Sequence, residues 1–193
     1  MGEAVKAPMD VCAKDELNFS SYRYLIIDDN RHMVVLLREI LKSFGAVHIR
    51  EFTAAADAIE LMDTMSFDLV LVDGMMAPMS GLDFLRRVRG LENGINRRVP
   101  IIFVSAYTDK EMVLAAWNAG ANAVIAKPVS PGNLFRHLSA CLFKQSPFIV
   151  SSNYIGPCRP IEADAALAAI WARGEALPSD VTILPPQPLS RKR

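Results

Sequence analysis

Apolar and polar positions along this chain fall into alternating short and long blocks. Tyr22 to Ile27 is a short apolar run, as in a strand buried on both faces. In Asn30 to Phe44, Val34, Leu37, Leu41 and Phe44 recur at helical spacing, and Gly45 supplies a stop. Val47 to Phe52 predicts a second strand. Thr53 is the predicted cap of a helix from Ala54 to about Met65. The third strand, Phe67 to Val72, is the most apolar, and the loop "DGMMAPMSG" follows it. A third helix is predicted over Leu82 to Leu91. Beyond the polar loop "LENGINRR", Val99 to Val104 predicts strand four. Asp109 to Ala119 predicts helix four, Asn122 to Ala126 strand five, and Gly132 to Lys144 helix five.

Strand followed by helix, repeated in this way, predicts an α/β fold: a parallel sheet covered on both faces with right-handed crossovers. Residues 21–144 are assigned to this domain, 1–20 to a lead-in without periodicity, and 145–193 to a C-terminal extension. In open sheets of this class ligands bind beyond the carboxyl ends of the strands.

Those ends carry the candidate chemistry. Asp28 and Asp29 follow strand one, Asp73 strand three, Ser105 strand four and Lys127 strand five. Each has an ordinary alternative. Asp28-Asp29-Asn30 suits a helix cap, Asp73 before Gly74 suits a turn, and Lys127 alone suits a solvated surface. Together they make a more specific set. Neighbouring carboxylates repel, and a hard divalent cation such as Mg²⁺ relieves the repulsion while bridging to phosphate oxygens. A carboxylate can then accept a phosphoryl group, with lysine and serine contacting its oxygens.

The acidic pair, the Asp after strand three, "SA" at 105–106 and "KP" at 127–128 resemble the receiver domains of bacterial two-component response regulators. The resemblance covers about residues 22–144. It implies a CheY-like, flavodoxin-like fold with strand order 2-1-3-4-5. It implies that Asp73 accepts a phosphoryl group from a histidine kinase or histidine phosphotransfer protein. Mg²⁺ would be held by Asp28, Asp29, Asp73 and the backbone carbonyl of Met75, with Ser105 and Lys127 sensing the phosphoryl group. Signalling to a downstream target would use the face of helix four, strand five and helix five. Beyond this self-phosphorylation and dephosphorylation, the chain is not expected to be an enzyme.

Three positions depart from the family pattern. Ala77 stands where the family usually has Pro, and Pro78 comes one later. Val124 occupies the switch position three before Lys127, usually aromatic. Met75 and Tyr107 occupy the positions that govern water access to the phosphoryl group; both are bulky and neither is acidic or amidic. Slow self-dephosphorylation is the expectation.

Composition narrows the alternatives. The 193-residue chain is 51% hydrophobic, with a formal net charge of zero, which gives no basis for nucleic-acid binding. Cys12, Cys141 and Cys158 have neither zinc nor C-x-x-C spacing. The N-terminus has no signal-peptide core, Lys6 spoils the myristoylation pattern, and no apolar run reaches spanning length. A soluble cytoplasmic protein without membrane contact is expected. None of His32, His48 and His137 precedes an acidic residue as a kinase phosphoacceptor does, so the chain reads as a recipient.

The extension is expected to be mostly irregular, with one short helix after Pro160 and a Pro-rich basic end. It is read either as an appendage on the domain or as a partner-binding or homodimerising segment anchored by Phe148, Tyr154 and Trp171. Two rival functions remain: a phosphorylation-independent interaction module of receiver fold, and a metal-dependent phosphatase. The latter needs a general acid close after its nucleophile, where Gly74 and Met75 stand.

Overall fold

A computed structural model describes residues 18–159, 178–187 and 189. Five strands, β1 (Arg23–Ile27), β2 (His48–Phe52), β3 (Leu69–Asp73), β4 (Ile101–Ser105) and β5 (Ala123–Ala126), form one parallel sheet in the order β2-β1-β3-β4-β5. Between and after them run α1 (Arg31–Ser43), α2 (Ala55–Thr64), α3 (Gly81–Gly90), α4 (Lys110–Asn118) and α5 (Pro131–Phe143). This is the doubly wound fold expected from the alternation.

Strand periodicity divides the core into two layers. Tyr24, Ile26, Leu69, Leu71, Ile102, Val104 and Ile125 face α1 and α5. Leu25, Ile27, Val70, Val72, Ile101 and Phe103 face α2, α3 and α4. The two central strands β3 and β4 are buried throughout. The outer strand β2, His-Ile-Arg-Glu-Phe, has no fully buried residue and carries charge, which discourages pairing with another chain at the open edge.

Local capping settles what the acidic pair does not do. Asn30 is the N-cap of α1, its side chain accepting from His32 N at 3.0 Å. Asp28 and Asp29 are thus left for another role. Ser80, Asp109 and Ser130 cap α3, α4 and α5 in the same way. Thr53 does not cap α2: the N-cap position is Ala54, and no side-chain hydrogen bond is made there.

Two long-range features have no local signature. Phe19, placed in the lead-in by its sequence, is 3% exposed and packs its ring against Phe44, Phe135 and Phe143. Asn96, in the polar loop before β4, is buried. Its Oδ1 accepts from Phe67 N at 2.8 Å, and its Nδ2 donates to the Met62 and Met65 carbonyls at 2.7 Å each. One side chain thus ties the end of α2 to the approach to β3. Asn96→Ala strands these groups without partners and is expected to cost about 2–4 kcal/mol, read as a lower urea midpoint at unchanged slope.

The extension departs from the irregular expectation. β6 (Phe148–Val150), β7 (Ile155–Pro157) and β8 (Thr182–Leu184) form a three-stranded antiparallel sheet in the order β7-β6-β8. The expected helix after Pro160, and Trp171 within it, lie outside the described residues. Phe148 and Tyr154 are 3% and 7% exposed, so neither is an open anchor for a partner. Phe148 lies under the Arg89 guanidinium, 5.5 Å from ring centroid to Cζ. The Tyr154 hydroxyl donates to the Pro157 carbonyl at 2.6 Å, and Arg159 stacks 3.8 Å above its ring. Gln187 Nε2 donates to the Phe67 carbonyl and Arg98 Nη1 to the Pro185 carbonyl, fastening the sheet at the amino-terminal ends of β3 and β4. Among the described residues no helix is long and apolar enough to cross a membrane.

Candidate functional site: an acidic rim with one lysine

Parallel strands end together, so β1, β3, β4 and β5 deliver their following residues to one rim. Asp28, Asp29 and Asp73 each offer a carboxylate oxygen within 4.8 Å of the others. Asp28 and Asp73 are 1% and 4% exposed, whereas Asp29 is open to solvent. Lys127 Nζ reaches Asp28 Oδ2 and Asp73 Oδ1, each at 2.8 Å.

The remaining contacts fix the carboxylates from behind. Asp28 Oδ1 accepts from Asn30 N at 3.0 Å, and Asp73 Oδ2 accepts from Met75 N at 3.2 Å. Burial holds the Asp73 carboxyl above its ordinary range; the hydrogen bond from Lys127 opposes this, and the Asp28 charge reinforces it. Burial works against the Lys127 charge, but the two carboxylates outweigh it and hold the ammonium above its usual value. The group is therefore an anionic pocket only partly neutralised by one cation. Three oxygen donors of this kind fit a hard divalent ion such as Mg²⁺.

Ser105 closes β4 fully buried, and its hydroxyl accepts from Tyr107 N at 3.1 Å. Lys127 N donates to the Ser105 carbonyl at 2.8 Å, so the two residues share one strand-end hydrogen bond. Val124 is half-buried and lies opposite Phe103 in the β4–β5 register. Met75 and Tyr107 are 55% and 60% exposed and flank the mouth. The Ala77–Pro78 and Lys127–Pro128 peptides are cis. Gly81 is required at the end of the loop: a Cβ there would run into the Asp73 carbonyl oxygen.

Sequence reasoning gave Phe103 no role and read Gly74 only as a turn residue, yet the Phe103 ring fills the space beside Gly74. A glycine immediately after the strand-end aspartate was the only local sign of that close approach.

Fold and rim together are those of a doubly wound α/β protein with an acidic strand-end pocket, and the chain belongs to the response regulator receiver domain family, whose model matches residues 24–139. It is similar to the chemotaxis protein CheY of Pseudomonas aeruginosa, 28% identical over 106 residues, which are 55% of this chain and 84% of that one. It is also similar to the sensory/regulatory protein RpfC of Xanthomonas campestris pv. campestris, 29% identical over 149 residues. That match takes in 72% of this chain but only 20% of RpfC. A CheY-like receiver domain protein from Methanospirillum hungatei superposes with a TM-score of 0.58 at 27% identity, covering 64% of this chain and 94% of that one. The receiver domain of a sensor histidine kinase from Pseudomonas aeruginosa, solved with a magnesium ion coordinated in its active-site cleft, gives 0.57 at 26% identity. There the coverage is 63% of this chain and 98% of the other.

Proposed function

We propose that this protein is a phosphorylation-controlled regulator in a two-component phosphorelay, with Asp73 as its phosphoacceptor. The observation that carries the reading is Lys127, held 2.8 Å from both buried carboxylates, Asp28 and Asp73. That arrangement keeps a cation beside the carboxylate that would become the acyl phosphate.

Asp28, Asp29, Asp73 and the Met75 carbonyl would hold Mg²⁺, which would neutralise charge on the transferred group. A carboxylate oxygen of Asp73 attacks the phosphorus of a phosphohistidine on a kinase or phosphotransfer protein. The P–N bond breaks, and its electron pair stays on the imidazole nitrogen, which takes a proton from water. Lys127 then contacts one phosphoryl oxygen and the Ser105 hydroxyl donates to another. The resulting shift in the β4 and β5 ends is read by a target protein on the face of α4, β5 and α5.

Intact-protein mass after incubation with phosphoramidate and Mg²⁺ tests this reading. There ammonia is the leaving group in place of imidazole. One phosphoryl group on the wild type, and none on Asp73→Asn, is the expected result. No adduct on a folded wild type overturns the reading and favours a phosphorylation-independent interaction module.

Met75 and Tyr107 flank the mouth without an acid or amide to orient water. The acyl phosphate is therefore expected to persist for minutes or longer after the donor is removed in the presence of Mg²⁺. Loss within seconds contradicts it.

A further inference from the structure

We propose that Phe103 is a positioning residue for the chemistry at Asp73, holding the Gly74–Gly81 loop through its ring edge. The inference rests on the proposed phosphorylation of Asp73.

Phe103 is fully buried and lies two residues before Ser105 on β4, on the same face of the sheet. A Cβ at Gly74 would stand 2.7 Å from Phe103 Cζ, 2.8 Å from its Cε1 and 3.1 Å from Ser105 Oγ. A Cβ at Gly81 would stand 2.9 Å from Phe103 Cε2. The ring is thus wedged beneath both ends of the loop that follows Asp73. Those ends are themselves joined, Gly81 N donating to the Gly74 carbonyl at 3.2 Å, and Gly74 N donating to the Val104 carbonyl at 2.7 Å. Gly74 has no positive φ. It is glycine for space, and the space is taken by the ring.

The consequence reaches the reacting atoms. Met75, next in the loop, donates its N–H to Asp73 Oδ2. Raising or tilting the loop changes the aim of that carboxylate, and the Met75 carbonyl moves with it. Ser105 Oγ also borders the space beside Gly74, 3.1 Å from where a Cβ would stand, so a raised loop alters the surroundings of the hydroxyl as well. Val124, short and opposite the ring, adds no aromatic bulk from β5.

A size-exchange cycle tests this. Gly74→Ala adds the clashing methyl group, and Phe103→Leu removes the Cε and Cζ atoms that the methyl would strike. Each single variant is expected to form the phosphoramidate adduct about tenfold more slowly than wild type. The double variant is expected to return to within about threefold, because the added methyl fills the space the ring vacates. Melting temperatures are measured alongside. Recovery of rate in the double variant without matching recovery of melting temperature separates positioning from stability. Singles that react like wild type, a double variant no faster than the slower single, or rates that follow melting temperature overturn the inference. A wild type that forms no adduct overturns the phosphorylation reading itself, and this inference with it.

Discussion

Lys127→Ala is expected to slow adduct formation on Asp73 by about 10²-fold, the usual loss when one preorganised donor to a developing oxyanion is removed. It should also destabilise the metal-free protein by about 3 kcal/mol, the scale for removing one partner of a buried ion pair. The reason is geometric. Lys127 Nζ is the cation in direct contact with two carboxylates that are 1% and 4% exposed. Its own side chain is 19% exposed, so solvent screening is limited. Removing one partner of a buried ionic cluster leaves the others desolvated and uncompensated. Mg²⁺ can replace part of the lost charge, so the variant should gain more stability from Mg²⁺ than the wild type does. Urea midpoints with and without Mg²⁺, beside adduct rates, give both readouts. Equal Mg²⁺ stabilisation of the two proteins contradicts the electrostatic account.

Arg89→Ala is expected to cost about 3–5 kcal/mol and to loosen the extension from the receiver fold. Arg89 is 2% exposed, and among the described residues its hydrogen-bond acceptors include no carboxylate. Its Nε and Nη2 donate to the Gly120 carbonyl at 3.1 and 2.9 Å, Nη1 to the Arg97 carbonyl at 2.6 Å, and Nη2 to Asn122 Oδ1 at 3.2 Å. Burial pushes the guanidinium down to about 9, so the charge is still carried at neutral pH. The Phe148 ring covers it from β6. One side chain thus joins the end of α3, the turn after α4 and the first strand of the extension. Truncation to Ala strands the Gly120 and Arg97 carbonyls and opens space beneath Phe148. Hydrogen exchange at the amides of Ile149 and Val150 should accelerate more than global stability alone accounts for. Arg89→Met, which keeps the volume and loses the donors, should cost less than Ala. An Ala variant within the error of wild type would remove Arg89 from this role.

The parallel fold was legible because its signals are local. Apolar runs at Tyr22–Ile27 and Phe67–Val72, and the helical recurrence of Val34, Leu37 and Leu41, need no knowledge of the rest of the chain. The rim was legible because a parallel sheet brings the carboxyl ends of its strands to one edge. That convergence of Asp28, Asp29, Asp73, Ser105 and Lys127 follows from topology alone. What pattern could not decide was which neighbour does the capping. Asn30 caps α1, and Asp28, two residues before it, faces Lys127.

Tertiary structure alone decided the contacts made across the chain. Phe19 has no periodic neighbours and becomes core only because Phe44, Phe135 and Phe143 meet there. Asn96 sits in a polar loop, and its burial follows from three backbone groups that distant segments leave unpaired. The antiparallel extension sheet joins strands from either side of residues 160–177, and its three-residue strands, one of them holding Gly156 and Pro157, are too short to show alternation. Phe103 sits in the middle of β4 and Gly74 just beyond β3, and only packing shows that one makes room for the other. Sequence determines the period and the order of elements. Which side chain fills which gap is set by distances between residues that the chain itself keeps far apart.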